Sequence, residues 1–307
     1  MSGTYSSVVD LRGKQGLVDS CADKQLNEYQ VSVTIVHTCT IVLTSWRLWY
    51  KIVQQCWWWE DVWAAIALAA IITSEVSVWI FSETPMGSKP WNGSIIAYWL
   101  LMINFTIGLW SSRLSMICSI VRLSSPTRIR TIARWAAAAF GATTIVLLVH
   151  KCWFCARYHD WEEIAPLSCS LASSVAITQV IADFLSDMTL VVLPAQILHR
   201  VKLPRNQKIL ILSVFSGSLI TTLLSIVHAV FFVQADPILK ILTAQLEMAF
   251  SVIICNLLPI ITCLYKVFRK DLDLSHRRYS AGSMFFTTIV EMPSLDSHAS
   301  EELKFIA

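Results

Sequence analysis

Residues 209–233 contain no Lys, Arg, Asp or Glu. A stretch of that kind narrows what a chain can fold into more than any other feature of this sequence. A helix needs about 20 predominantly apolar residues to cross the roughly 30 Å hydrocarbon core of a bilayer. The same window finds seven such segments: 31–50, 62–81, 95–120, 133–150, 175–198, 209–233 and 239–265. Their apolar runs are continuous and do not alternate in short pieces, which favours helices over barrel strands. Charged residues make up only 15% of the 307, against about 25% in soluble domains. These features exclude a soluble enzyme, a disordered chain and a nucleic-acid binder. The expected fold is all-α: a polytopic membrane protein, 31–265, forming a seven-transmembrane helix bundle between an N-terminal tail (1–30) and a disordered C-terminal tail (266–307). The fourth span is the shortest, and its Ala136–Ala139 run and Gly141 suit close helix packing.

Orientation follows from the basic residues, which concentrate on cytosolic loops. Arg47 and Lys51, then Arg122, Arg128, Arg130 and Arg134, then Arg200, Lys202, Arg205 and Lys208, then the Lys266–Arg278 segment all fall on one side. That side holds more than half of the 24 basic residues. The N-terminus is therefore expected outside and the C-terminus in the cytosol. The polar first 30 residues show no signal peptide, so the first span is expected to act as its own insertion signal. Trp57, Trp58, Trp59 and Trp63 mark the inner interface, and Trp79, Trp91, Trp153 and Trp161 the outer one, as amphipathic indoles prefer.

Several local patterns recur along this frame: Trp58-Trp59-Glu60-Asp61 before the second span; Trp110-Ser-Ser-Arg113-Leu114-Ser115 and Ile120-Val121-Arg122-Leu123 at the end of the third; Gln179, Asp183, Asp187 and Pro194 along the fifth; Ser225-Ile226-Val227-His228 in the sixth; Glu247 and Cys255-Asn256-Leu257-Leu258-Pro259 in the seventh. As an ordered set over roughly residues 30–270 they resemble the fungal rhodopsin-like seven-helix integral membrane proteins, in a basidiomycete-type version. That group overlaps the fungal receptor-like proteins. The resemblance implies a seven-helix bundle with an outside N-terminus and a sensing or signalling role. An extracellular small molecule and a heterotrimeric G protein are the candidate partners, with the lipid bilayer around the helices and a plasma-membrane location. The extracellular Cys-rich domain of some members is missing, since the N-terminal tail holds only Cys21. A retinal Schiff base needs a Lys amine inside the bundle, on the last helix of known rhodopsins; here Lys240 lies at the mouth of that helix and Lys266 past its end. No retinal, and no other cofactor, is expected.

Ionisable residues inside spans are rare and costly, so each is a functional candidate. Asp183 and Asp187, four apart, share one helical face. With Glu75, His228 and Glu247 they are candidates for lining one outward-opening ligand cavity. Arg113 lies nearer the cytosol, and Asp187 is its nearest acid in depth, making Arg113–Asp187 a candidate ion pair or switch. Three readings stay open: interhelical glue, a pocket for a cation or polar small molecule, and an ion or proton path. A transporter or channel is accordingly the alternative to a receptor-like sensor. Pro194 and Pro259 are expected to kink their helices.

Cys152, Cys155 and Cys169 share the second outer loop, where Cys169 is expected to bridge to Cys152 or Cys155. No zinc is expected, for Cys152-x-x-Cys155 has no second pair at ligand spacing. Asn92-Gly93-Ser94 is a glycosylation sequon on the outer side. No phosphate loop, zinc-protease motif or nucleophile elbow occurs, so no enzymatic activity is expected. The topology is checked by epitope accessibility on intact cells: an N-terminal tag should be labelled without permeabilisation and a C-terminal tag only after it, and the reverse pattern overturns the assignment.

Overall fold

The computed structural model describes residues 28, 30–55, 57–82, 90–123, 127–157, 169, 173–200, 205–233, 239–257 and 260. Among these residues seven helices form and no strand: α1 (Gln30–Val53), α2 (Trp59–Ser82), α3 (Asn92–Leu123), α4 (Thr127–Arg157), α5 (Ser173–Arg200), α6 (Arg205–Val233) and α7 (Leu239–Leu257). Five of them, α1, α2, α3, α4 and α7, are long and apolar enough to cross a membrane, and α6 adds a shorter apolar segment, Ser216–Phe231. The chain is thus a multi-pass helical membrane protein. Residues 1–27 and 29 of the N-terminal tail, the C-terminal tail, Cys21, Cys56, Cys263, Trp161, Pro259 and the end of the expected seventh span lie outside the described residues. Pro194 falls inside the unbroken helix α5.

α3 is the central helix. Its residues from Gly108 to Ile117 are all buried, as a helix surrounded on every side requires. It packs against α2, α4 and α5, and Ile71, Leu109, Trp110, Ile117 and Met248 form the almost fully enclosed middle of the core. Trp110 meets Phe140 of α4 edge to face, with ring centroids 5.8 Å apart. The outward faces of α2 and α4 display Ile66, Ile72 and Val76, and Ile145, Val146 and Val149. Such apolar surface suits hydrocarbon solvent.

Helix ends have local causes. α1 stops where Gln55 takes a left-handed conformation (φ 52°) and its N–H closes on the Ile52 carbonyl at 3.0 Å, the geometry of an αL termination. α2 starts because Asp61, three residues past Trp58, reaches back to accept the Trp58 N–H at 3.2 Å, one half of a capping box. Glu60 and Asp61 also sit in the first turn, where the helix dipole favours acids. At the start of α3 the Trp91 ring lies where a Cβ on Gly93 would be, 2.1 Å from it, so any other residue there would have to displace that ring.

Two sequence expectations are corrected. α4 is not a short helix: it extends beyond the 133–150 window at both ends, because polar residues continue a helix that an apolarity window ends. Nor is Gly141 a close-packing site, since a Cβ there would meet nothing within 4 Å; of the alanine run, Ala136 and Ala137 pack against the core, whereas Ala138 and Ala139 are exposed. The buried stripe of α4 runs instead through Ala133, Phe140 and Leu147, a seven-residue repeat that turns Gly141 away from the core.

Close approach belongs to other glycines. A Cβ on Gly108 would lie 2.6 Å from Met248 Sδ of α7, and one on Gly217 of α6 would lie 2.5 Å from Ile254 Cγ2. Met is flexible and yields, whereas a β-branched Ile does not. Gly217→Ala should therefore cost about 1–3 kcal/mol and Gly108→Ala clearly less. Melting temperatures of the two variants in one detergent check the order, and equal losses would contradict it.

Candidate functional site

The buried polar residues form two groups at different depths. The first surrounds Arg113, whose side chain is 1% exposed. Its Nη1 donates to Asp183 Oδ1, and its Nη2 stands 3.2 Å from Asp187 Oδ1, an ion pair without hydrogen-bond alignment. Spacing of four on α5 is what lets one guanidinium reach both acids. Gln179 Nε2, one turn earlier, donates to both Asp183 oxygens at 3.1 and 2.9 Å. Asp187 Oδ2 accepts from Thr221 at 3.3 Å and Thr222 at 3.0 Å on α6. The guanidinium lies over the Trp110 ring, 5.2 Å from its centroid. Next to this centre Ser112 and Ser251 join α3 to α7 at 2.6 Å, and Ser225 Oγ donates to Glu247 Oε1.

A cavity opens beside this group, towards the helix ends that carry the Cys155–Cys169 disulfide. It is walled by the first halves of α3, α5 and α7 and the last halves of α4 and α6, and about 110 Å³ of it is open to the centre of a water-sized sphere. That is several times the roughly 10–15 Å³ one water needs. Phe105, Lys151, Gln179, Asp183, His228 and Gln245 are among the lining residues. Lys151 is buried, donates to Thr106 Oγ1 at 3.0 Å, and has Nζ 4.9 Å from the Phe105 ring centroid. His228 Nδ1 is 2.9 Å from Thr243 Oγ1. Cys169 closes this end, its backbone N–H donating to Tyr98 Oη at 2.8 Å. Cys152 keeps a free thiol. Asn92 is exposed here, while the Ser94 hydroxyl of its sequon is buried and donates to the Trp91 carbonyl at 2.8 Å.

Of the five ligand candidates, Asp183 and His228 line this cavity. Asp187 and Glu247 lie behind it, held as described. Glu75 is apart, between α1 and α2, where His37 Nδ1 lies 2.9 Å from Oε2 and Trp79 Nε1 donates to Oε1 at 2.9 Å. Arg113 contacts Asp187 as the depth comparison anticipates, and Asp183 as well.

The second group lies at the opposite end and was counted from sequence as loop charge. Arg47 is 3% exposed. Its Nη1 donates to the Cys255 carbonyl and to Asn256 Oδ1 of α7, both at 3.2 Å, and its Nη2 donates to Asp61 Oδ1 at 3.4 Å and Ser115 Oγ at 3.3 Å. One side chain therefore joins α1, α2, α3 and α7. Glu60 Oε1 accepts from Lys51 Nζ and Arg122 Nη1, each at 2.8 Å, and Oε2 from Ser119 at 2.7 Å. Arg122 also covers the Trp58 ring at 5.1 Å. A signal existed in the sequence: Glu60 and Asp61 stand immediately before the second apolar window, and Arg47 lies within the first. Among the described residues no group of His, Cys, Asp and Glu could hold a metal ion.

Residues 46–267, most of the chain, match the fungal rhodopsin domain family. The chain belongs to this family. The matched segment begins beside Arg47 and takes in both buried groups and the cavity, whereas His37, the partner of Glu75, precedes it. No curated protein and no solved structure matches the chain at a significant level.

The two groups differ in what a substitution costs. Arg47→Met leaves the buried Asp61 with Lys51, 3.8 Å away, as its remaining cation and takes the donor from the Cys255 carbonyl and Asn256; it should cost about 3 kcal/mol, the lower end for breaking a buried pair. Arg122, with a side chain 36% exposed, makes a screened pair worth about 1 kcal/mol or less. Thermal unfolding in detergent should put Arg122→Met near the parent and Arg47→Met far below it; similar melting temperatures would show that the Arg47 cluster is not a buried ion network.

Proposed function

We propose that this fungal rhodopsin-domain protein is a non-enzymatic, receptor-like sensor of a small extracellular molecule, coupled to a heterotrimeric G protein. In this reading all seven helices span the plasma membrane, with the N-terminus and the cavity outside and the C-terminus in the cytosol. The observation that carries the reading is the arrangement of one cavity and two buried polar groups along α3 and α7. The cavity ends on Asp183, which is bound to Arg113. Two residues further along α3, Ser115 belongs to the Arg47 cluster and also donates to the Glu60 carbonyl at 2.8 Å. A ligand that changes the Asp183–Arg113 contact acts on the helix that holds the opposite end together. The ligand is not retinal in this reading: the described part of α7 carries Lys240 in its first turn and no other lysine.

The test is nucleotide exchange by a heterotrimeric G protein on vesicles containing the purified chain, compared with empty vesicles. Exchange should rise above the empty-vesicle rate and shift by about fivefold or more in Asp183→Asn, the scale of ordinary site-to-site coupling. No exchange, together with a solute or proton flux that Asp183→Asn abolishes, would replace the sensor by a transporter.

A further inference from the structure

Every buried cation of this bundle but one meets a carboxylate among the described residues. Arg113 has Asp183 and Asp187; Arg47 has Asp61; Lys51 has Glu60. Lys151 has none. Its side chain is buried, with 6% of the residue exposed, and its ammonium makes one hydrogen bond, to the neutral Thr106 hydroxyl, although it carries three donors. Phe105 faces it with a ring, which attracts a cation but accepts no conventional hydrogen bond. This amine lines the cavity.

Among the described residues no carboxylate is in contact with this ammonium; Asp183 and Glu247 attract it only from a distance. Asp183 is the one carboxylate among the lining residues, and its oxygens receive Arg113 and both contacts of Gln179. Lys240 and His228 line the same space and add basic groups to it. The remaining wall is mostly apolar, with Leu101, Met102, Val180 and Ile241 among its side chains. Gln179 Oε1 and Gln245 Oε1 are buried and meet no donor among the described residues, so a hydroxyl-bearing ligand would find acceptors there.

We infer that the cavity binds a small amphipathic carboxylic acid, its carboxylate on Lys151 and its apolar body against α3, α5 and α7. The inference rests on the reading of this cavity as the ligand site and names the class of molecule it takes. A carboxylate supplies what the ammonium lacks, a charged acceptor in a place from which water is largely removed, where charge-assisted hydrogen bonds are strongest. A cationic ligand meets the opposite: the Lys151 ammonium on the wall and an aspartate already engaged.

The test uses the full chain in lipid nanodiscs, with empty nanodiscs as the control, and three probes of nearly one shape: 3-phenylpropionate, 3-phenylpropanamide and 3-phenylpropylamine. Binding is read by saturation-transfer NMR titration. The acid should bind saturably and about tenfold or more tighter than the amide, with the amine weakest, as one charge-assisted hydrogen bond implies. Lys151→Met should remove that preference, bringing the acid down to the level of the amide, while amide binding that stays saturable shows that the cavity has kept its shape, and Lys151→Arg should restore much of the preference. Equal binding of acid and amide, preference for the amine, or an unaltered acid affinity in Lys151→Met overturns the inference. If amide or amine binding is saturable and is lost in the cavity-filling variant Ala244→Trp, the cavity reading survives that failure. If none of the three binds saturably, or binding persists in Ala244→Trp, both fall together.

Discussion

Arg113 sets the terms for the rest of the bundle. A guanidinium cannot lose its charge in a protein, and with its side chain 1% exposed it is out of reach of bulk water, in a bundle whose surroundings supply no counter-charge. It must be met by fixed acids, and α5 supplies two on successive turns. This contact sets where α5 lies along α3. Asp187 then sets α6, through Thr221 and Thr222, and Trp110 beneath the guanidinium sets α4 through Phe140. Individually, interhelical hydrogen bonds in membranes contribute only about 0.6 kcal/mol. Their larger effect is to exclude other registers: sliding α5 by one turn would bring one aspartate to the other's place and leave the second buried without Arg113, at a cost of several kcal/mol.

The second polar group solves a different problem. Arg47, Lys51, Glu60 and Asp61 belong to the end and start of α1 and α2, where a chain turning between two helices exposes backbone ends and charges together. Asp61 serves both needs, accepting the Trp58 N–H as a helix cap and Arg47 as a counter-ion. α7 is tied to both groups on one face: Glu247, Ser251 and Cys255 follow at intervals of four and meet Ser225, Ser112 and, through the Cys255 carbonyl, Arg47. Gly108 and Gly217 let α3 and α6 approach this helix closely. A displacement of α7 along its axis cannot be confined to one end, because its bonds run from those of Thr243 and Glu247 with α6, through that of Ser251 with α3, to those of Cys255 and Asn256 with α1.

How much of this was legible before the structure follows from what an apolarity window measures. It reports where a segment can lie, so the helices and the spacing of Asp183 and Asp187 were accessible from the chain alone. It does not report which charges are paired. Arg47 and Asp61 are fourteen residues apart and Arg47 and Asn256 more than two hundred, so their contact exists only once α1, α2 and α7 have packed; counted one by one they read as loop charges. The boundary error at α4 had a further consequence. Ending that helix at His150 placed Lys151 in a loop, whereas six more helical residues follow it, and the side chain is enclosed. The His37–Glu75 contact was missed for a related reason, since α1 is rich in Thr and gives a weak pattern from which a buried face cannot be picked.

The two buried cations of the α3–α5 region show why residue type matters more here than charge. Arg113 has a planar fork, suited to bridging two acids held in place by one helix, and that geometry makes it a fixed joint. Lys151 has a compact ammonium on a flexible stem and sits against an aromatic ring and a hydroxyl, neither of which neutralises it. A joint built on lysine would specify register poorly, and a ligand contact built on a doubly engaged arginine would first have to break two ion pairs. The chain places the fork where helices must be aligned and the point charge where there is open volume.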